Sequence, residues 1–529
     1  MTVNSMSFFI FFLGMALVYY LPFLKKYQWM VLLAASCLFY YFAGVETFLY
    51  LILATAATHC AALALDRLNL RQEAWNAEQK GHCTKDEAER FKAGIKAGKR
   101  RILVLDAMVT VGILAFVKYG DFIVENVNRI PGVEAGLGLT PLNLIVPLGI
   151  SYYTLQSIGY VMDVSKGKVR AEKNILKTLL FLVYFPQITQ GPIGRFPQLA
   201  PQLFGSHAFC WRDFSFGFQR VLWGFFKKTV ISERMSPFVD EIFLDYGQYG
   251  GFTLLLGCIY FSVQAYMDFS AYMDIVAGFS QVLGIHLEEN FRRPFFSQSL
   301  AEYWRRWHIS LSSWFRDYVF YPLSLSSRAV KLSRLGRKFL PAKLAKLVPS
   351  VYAMLFVWFA TGLWHDASWR YICWGVANGV IMISSLCLSD VFQGWKDRLH
   401  ITEKNPVWNM VRIVRTFLLI SLLKVFPAAM DLGGTVGILK KIFTDFHLSF
   451  SYQAWFPGLE VSHLAYILFG LLLCLLIGIW QERKGSVREG LETKPFVLRW
   501  CLYAVVLCAI LSIGALGSDL SGGFEYAQY

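Results

Sequence analysis

An ionisable histidine closes an apolar run of the sequence near residue 365. Trp364, His365 and Asp366 follow the run Val351–Leu363. If Val348 lies at the inner surface of a membrane, His365 comes about 17 residues later, roughly 25 Å along a helix. That depth falls within a hydrocarbon core about 30 Å thick. An imidazole there could accept a proton from an alcohol that attacks a thioester or an ester. A hydrogen-bonded core histidine, or a loop residue at the far surface, would give the same pattern.

A second segment combines arginine, tryptophan and another histidine. Its residues of interest are Asn290, Trp304, Arg305, Trp307, His308, Arg316 and Asp317. Arginine and tryptophan could bind a phosphate or a nucleotide by charge and stacking. The same composition is typical of an interfacial aromatic belt with snorkelling arginines, and composition alone favours the belt.

Two carboxylates occur inside the apolar stretch Leu254–Leu283. Asp268 and Asp274 need partners if they are buried, and Arg292 or Arg316 are the candidates that we expect. We therefore interpret both carboxylates as a structural polar network and not as acid–base catalysts. The aromatic-rich end, Phe524–Tyr529, is unusual for a chain terminus.

These groups must be positioned by helices in a bilayer. The chain has 529 residues, of which 56% are hydrophobic and 16% charged, far less charge than a soluble surface of this size needs. Lipid forces backbone groups to bond internally, which predicts an all-α polytopic bundle. Blocks near the length of a span predict about ten to twelve spanning helices, with re-entrant and amphipathic pieces between them. The first of these blocks are Phe8–Leu21, Trp29–Tyr41, Phe48–Leu65, Ile102–Val117 and Leu142–Met162.

Charge placement predicts the orientation. The formal charge of +15 comes from basic residues between apolar blocks, which favours positive-inside bias over nucleic-acid binding. The stretch 66–101 then becomes a cytoplasmic loop, and both termini, including the tail 517–529, become extracytoplasmic. Ser326–Val348 alternates basic and apolar residues, as a segment on the inner membrane face would. Its role could be lipid anchoring or, less favoured, attraction of a phosphate-rich donor.

Several other classes of site find no support in the sequence. It lacks a Walker A loop, an H-E-x-x-H zinc motif and a C-x-x-C pair, so we expect no metal. We also find no internal repeat and no soluble domain, and we interpret residues 1–529 as a single membrane-embedded domain.

Two runs resemble the membrane-bound O-acyltransferase family, most closely its bacterial branch for alginate O-acetylation and teichoic acid D-alanylation. They are Asn290–Pro322 and Thr361–Gly375, within a motif-bearing core that spans residues 146–375. The resemblance implies that His365 is the essential histidine, near the centre of a tunnel-bearing bundle. It implies that His308 is a second histidine on the donor side. Asp366 and Ala271 depart from the residues usual in the family.

The resemblance also implies a function in a bacterial cytoplasmic membrane. An acyl group, with acetyl expected, would pass from a cytoplasmic acyl-CoA to an extracytoplasmic polysaccharide, and no other cofactor would be needed. An SGNH-type, serine-esterase-like partner would complete the transfer, and Tyr529 would carry the acyl group in between. Two alternatives stay open, namely D-alanyl transfer to teichoic acid and a non-enzymatic transporter or flippase.

Overall fold

The computed structural model describes residues 5–42, 44–78, 84–130 and 138–514. These residues form helices and connecting segments, and their β-structure is one isolated antiparallel bridge between Phe291 and Trp307. The predicted all-α class is therefore confirmed. The chain forms two compact units, the first made of Met1–Gly217 and Phe279–Glu288, the second of Phe218–Gly278 and Glu289–Tyr529.

The first unit is built on seven helices. They are α1 (Met6–Tyr19), α2 (Gln28–Tyr41), α3 (Phe48–Glu78), α4 (Lys85–Asn128), α5 (Ile150–Ser165), α6 (Ile175–Val183) and α7 (Phe196–Phe204).

Helices α3 and α4 form a long hairpin. At about 1.5 Å per residue, their 31 and 44 residues extend well beyond the thickness of a bilayer. Thr84 caps α4 through a reciprocal capping box with Glu87, and Trp75 stacks on Phe91 with ring centroids 4.5 Å apart. The stretch 66–101, which we predicted as a cytoplasmic loop, is thus largely helical where the structure describes it.

The remaining helices lie wholly or mostly in the second unit. They are α8 (Trp211–Phe226), α9 (Glu233–Leu244), α10 (Gly251–Val282), α11 (Leu300–Arg306), α12 (Ile309–Phe315), α13 (Tyr321–Ser324), α14 (Ser327–Gly336), α15 (Ala342–His365), α16 (Trp369–Cys387), α17 (Ser389–Arg398), α18 (Pro406–Leu423), α19 (Val425–Ala428), α20 (Leu432–Thr444), α21 (Tyr452–Trp455), α22 (Val461–Lys484), α23 (Val487–Glu492) and α24 (Phe496–Ile513).

Short segments of other helical geometry connect these helices. Short 3₁₀ helices occur at Pro22–Tyr27, Val45–Thr47, Tyr246–Gln248 and Pro294–Phe296. Lys227–Ser232, after α8, and Arg316–Phe320, after α12, are π-helical. Such insertions are frequent at functional sites, and both lie close in sequence to the polar groups described below.

Among the described residues, seven helices are long and apolar enough to cross a membrane, namely α3, α4, α10, α15, α16, α22 and α24. The bent pair α1 and α2 would make eight, with a 100° angle between them. This number is lower than the ten to twelve that we predicted, because some apolar blocks are only partly helical. The block Leu142–Met162, for example, becomes helical only at Ile150, and α5 has 16 residues.

The basic segment Ser326–Val348 divides between two helices. The first is α14, and α15 begins at Ala342 and continues as a candidate span. Ser333 of α14 donates a hydrogen bond to the Ala345 carbonyl at 2.8 Å, which joins the two helices. Leu325 and Phe339 are exposed beside the basic residues, as expected for a segment at a membrane surface.

Helices α15 and α16 pack at very close range. A Cβ atom at Gly362 would lie 2.4 Å from the Tyr371 carbonyl oxygen, and one at Gly375 would lie 2.3 Å from that of Trp358. Only glycine fits at such distances, as at the small-residue contacts of other membrane helices. This contact fixes the end of α15, where His365 lies.

We expect Gly375→Ala to separate α15 from α16 and to destabilise the protein by about 1–3 kcal/mol, because the new methyl group overlaps the Trp358 carbonyl. Thermal unfolding of the purified protein would measure the change. Gly394→Ala is the matched control, since a Cβ there meets no atom within 4 Å. Equal melting temperatures for the two variants would contradict this packing.

Candidate active site

His308 lies at a sharp turn that a short antiparallel pairing creates. The Arg292 N–H donates to the Arg306 carbonyl at 2.9 Å, and the Ile309 N–H donates to the Asn290 carbonyl at 3.0 Å. His308, directly before α12, has φ +46°, in the left-handed region that residues other than glycine seldom adopt. Backbone strain of this kind is found where the surrounding structure dictates the conformation, often at functional sites.

Asn290 fixes both the turn and the imidazole. Its Oδ1 accepts hydrogen bonds from the Ser310 N–H at 3.0 Å and from the Ser310 hydroxyl at 2.9 Å. Its Nδ2 then points to His308 Nδ1, at 3.3 Å. Its Oδ1 lies 3.4 Å from the same ring nitrogen, so the side-chain amide of Asn290 contacts Nδ1 through both of its polar atoms. The predicted donor-binding residue Asn290 therefore orients His308, which is buried.

His365 is the last residue of α15 and lies in an aromatic pocket. Its ring is nearly parallel to that of Tyr371, with centroids 5.9 Å apart, and perpendicular to that of Trp374 at 5.1 Å. The side chain is 6% exposed, which rules out the surface-loop alternative for this residue. Because α15 is a candidate span, His365 is a buried ionisable group at the end of an apolar helix.

Trp364 joins the two histidines. Its ring centroid lies 5.1 Å from that of His365 and 6.0 Å from that of His308, with steep interplanar angles in both pairs. Phe269 of α10 packs edge-on against His308 at 5.0 Å. The two histidine motifs, which are well separated in the sequence, thus meet in one aromatic cluster.

The two tryptophans of the His308 motif have different surroundings. Trp304 packs against Trp358 at 5.0 Å and Trp374 at 5.6 Å, which links it to the His365 pocket. Trp307 stacks on Tyr303 at 5.5 Å, and the Lys424 ammonium lies 4.8 Å from its ring centroid.

The remaining predicted donor-binding residues are more exposed. Arg305 is exposed, and Arg316 pairs with the adjacent Asp317 at 2.9 Å. Contact of these three side chains with a donor stays a prediction. Tyr529 and the tail 517–529 lie outside the described residues.

The carboxylates of α10 pair with lysines and an arginine that our prediction did not name. Asp268 contacts Lys228 at 2.7 Å, and Asp274 contacts Lys227 at 2.8 Å and Arg220 at 2.9 Å. The expectation of Arg292 or Arg316 as partners was therefore wrong. The partners come from the end of α8 and its π-helical extension, where two successive lysines point into the same buried region.

Sequence reasoning also missed Tyr371, Trp374 and Lys424. Tyr371 and Trp374 lay inside a run that we quoted, but aromatic residues in apolar helices carry no signal of their own. Lys424, like Lys227 and Lys228, interrupts an apolar stretch. Intramembrane charges are functional hypotheses by default, so this signal was present in the sequence.

Comparison with known proteins identifies the family. The model of the membrane-bound O-acyltransferase family matches residues 170–424, which include both histidine motifs. A protein of Pseudomonas syringae pv. tomato named as a probable alginate O-acetylase is 32% identical over 391 residues, covering 73% of this chain and 69% of that protein. The chain belongs to the membrane-bound O-acyltransferase family. It is therefore a membrane-embedded acyltransferase.

Two further relatives are similar over shorter parts. The peptidoglycan O-acetyltransferase of Helicobacter pylori is 29% identical over 372 residues, which are 65% of each chain. The teichoic acid D-alanyltransferase of Bacillus subtilis is 28% identical over 285 residues, which are 52% of this chain and 67% of that protein.

We expect Lys228→Met to be strongly destabilising, by about 3–5 kcal/mol, because it leaves the buried Asp268 and the partly buried Glu233 without their shared cation. Asp268→Asn should destabilise the protein less, because Lys228 would still pair with Glu233, which lies 2.8 Å away. Chemical unfolding in detergent would measure both. The control Arg129→Met removes an exposed pair with Glu125 and should change little. A Lys228→Met protein as stable as the control would contradict a structural network.

Proposed function

We propose that this protein transfers an acyl group, which we expect to be acetyl, from cytoplasmic acetyl-CoA to an extracytoplasmic polysaccharide. The observation that carries the proposal is the cluster in which Trp364 contacts both His308 and His365, in a chain that belongs to an acyltransferase family. Two imidazoles in one low-dielectric cluster, at the end of a candidate span, suit proton transfer during acyl transfer.

In the proposed reaction His365 is the general base. It removes the proton of an acceptor hydroxyl as the oxygen attacks the thioester carbonyl. The C–O bond forms, the C–S bond breaks, and the leaving thiolate takes up the proton to give free CoA. The aromatic walls of the cluster exclude water, which limits wasteful hydrolysis.

His308 would contact the donor. Its ring is held by Asn290 on one side and by Phe269 on another, so its orientation is restricted. A tunnel between the two membrane faces would bring donor and acceptor to this cluster. In the proposed orientation both termini are extracytoplasmic, as the loop charges favour.

The final transfer would need further groups. We propose Tyr529 as a relay, because a phenol ester is activated and can pass its acyl group onward. An SGNH-type partner outside the membrane would then place the group on a polysaccharide hydroxyl. The names of the relatives that act on alginate and peptidoglycan support an envelope polymer as acceptor.

D-alanyl transfer to teichoic acid is the second candidate. The similarity to the Bacillus subtilis teichoic acid D-alanyltransferase supports it, although that match covers 52% of this chain against 73% for the alginate O-acetylase. The mass added to the envelope polymer distinguishes the two, since acetyl and D-alanyl groups differ in mass. Because the chain belongs to an acyltransferase family, we favour acyl transfer over the transporter alternative.

His365→Ala should lower transfer by a factor of about 10²–10⁴ or more, because it removes the general base. Mass spectrometry of envelope polysaccharide from cells with each variant would measure acylation, and thermal unfolding would verify folding. His447→Ala is the control, because His447 is exposed beside Asp445. Acylation at the wild-type level in a folded His365→Ala protein would defeat the assignment.

Tyr529→Phe should abolish polysaccharide acylation in a reconstituted system that contains donor, acceptor and partner, because phenylalanine has no hydroxyl to acylate. A labelled acetyl group should appear on the tail peptide of the wild-type protein and be absent from the variant. Full transfer by Tyr529→Phe would remove this residue from the pathway without affecting the role of His365.

A further inference from the structure

Lys424 is a buried cation next to the candidate active site. It follows the last residue of α18 and is 7% exposed, with its ammonium 4.8 Å from the Trp307 ring centroid. Within the described ranges it forms no ion pair. The indole face and the carbonyl end of the helix offset part of the cost of burying this charge. They do not replace an anion, and an uncompensated buried charge is expensive.

Neighbouring contacts hold Lys424 close to both histidine motifs. Helix α18 packs on the 3₁₀ helix Pro294–Phe296, which precedes His308 in the sequence. The ring centroids of Phe417 and Phe295 are 5.0 Å apart. Trp307, under the ammonium, is followed directly by His308. On the other side, the Arg370 guanidinium donates to the Pro427 carbonyl at 3.4 Å. The residue after Arg370 is Tyr371, which stacks on His365.

Two buried hydroxyls accompany the ammonium. Ser421 lies three residues earlier on the same face of α18, and its Oγ has no hydrogen-bond partner in the part of the chain that the structure describes. The Tyr303 hydroxyl is likewise buried and unpaired there, and its ring stacks on Trp307. Two residues with groups able to donate to an anionic oxygen, Lys424 and Tyr303, thus contact Trp307, and Ser421 lies one helical turn from Lys424.

We propose that Lys424, assisted by Ser421, binds an anionic oxygen of the acyl donor beside His308. Two oxygens have this chemistry. One is the thioester carbonyl oxygen, which gains negative charge as the hydroxyl attacks and loses it when the thiolate leaves. The other is a phosphate oxygen of the coenzyme. This inference rests on the proposed function.

Kinetics with two donors test the proposal and distinguish the two oxygens. Purified wild-type, Lys424→Met and Lys424→Arg proteins, each reconstituted with acceptor and partner, are assayed with acetyl-CoA and with acetyl-pantetheine, which has no phosphate. If Lys424 binds the carbonyl oxygen, Lys424→Met lowers kcat by about 10²–10³ with both donors at an unchanged KM. If Lys424 binds a phosphate, KM rises for acetyl-CoA alone. Lys424→Arg keeps the charge and should retain part of the lost activity in either case.

The control and a second variant make the outcome decisive. Lys440→Met removes an exposed lysine from α20 and should match the wild type. Ser421→Ala should change the same kinetic constant as Lys424→Met by a smaller factor, which keeps the test open if Lys424→Met does not fold.

Three results would overturn the inference. The first is wild-type kcat and KM for Lys424→Met with both donors. The second is wild-type kinetics for Ser421→Ala where Lys424→Met does not fold, which would leave Lys424 as a packing group for Trp307. The third is no turnover of either donor by the wild-type protein, which would also defeat the proposed donor. Turnover with an unaffected Lys424→Met variant defeats this inference alone.

Discussion

The packing of the Trp364 indole against two imidazoles is the contact on which the candidate site depends. His365 arrives at the end of α15, and His308 arrives in a strained turn before α12. Neither α15 nor the turn before α12 would bring the two histidines together by itself. The indole sets their spacing, and it is held by the close approach of α15 to α16 that Gly375 permits. Charge interactions at these buried imidazoles are stronger than they would be in water.

Buried charge has a separate role in the same unit. The ion pairs of Asp268 and Asp274 hold α10 against the end of α8 and its π-helical extension. Phe269, next to Asp268, packs on His308. The cost of burying these ions is therefore compensated by pairing, and the pairing positions a wall of the site. Lys424 differs because no ion pair compensates it within the described residues.

Much of this arrangement follows from sequence. Long apolar blocks dictate helices in lipid, and two motifs of unusual composition indicated where chemistry would lie. Three features did not follow. The helical form of the stretch 66–101, where the structure describes it, was not predicted, and its cytoplasmic position stays a prediction. The partners of Asp268 and Asp274 depend on which helix face meets α10, and a π-helical turn changes that face without a composition signal. The ring contacts of Trp364 depend on the tertiary approach of segments that are distant in the chain.

A structure of the full-length protein in lipid with a non-reactive acetyl-CoA analogue would test most directly whether both histidines serve one site. We expect the carbonyl of the analogue to lie within hydrogen-bonding reach of His365. The pantetheine arm should pass His308, and the Trp364 indole should lie between the two imidazole rings. A donor whose carbonyl lies away from Trp364, or histidines that face separate cavities, would contradict a shared site.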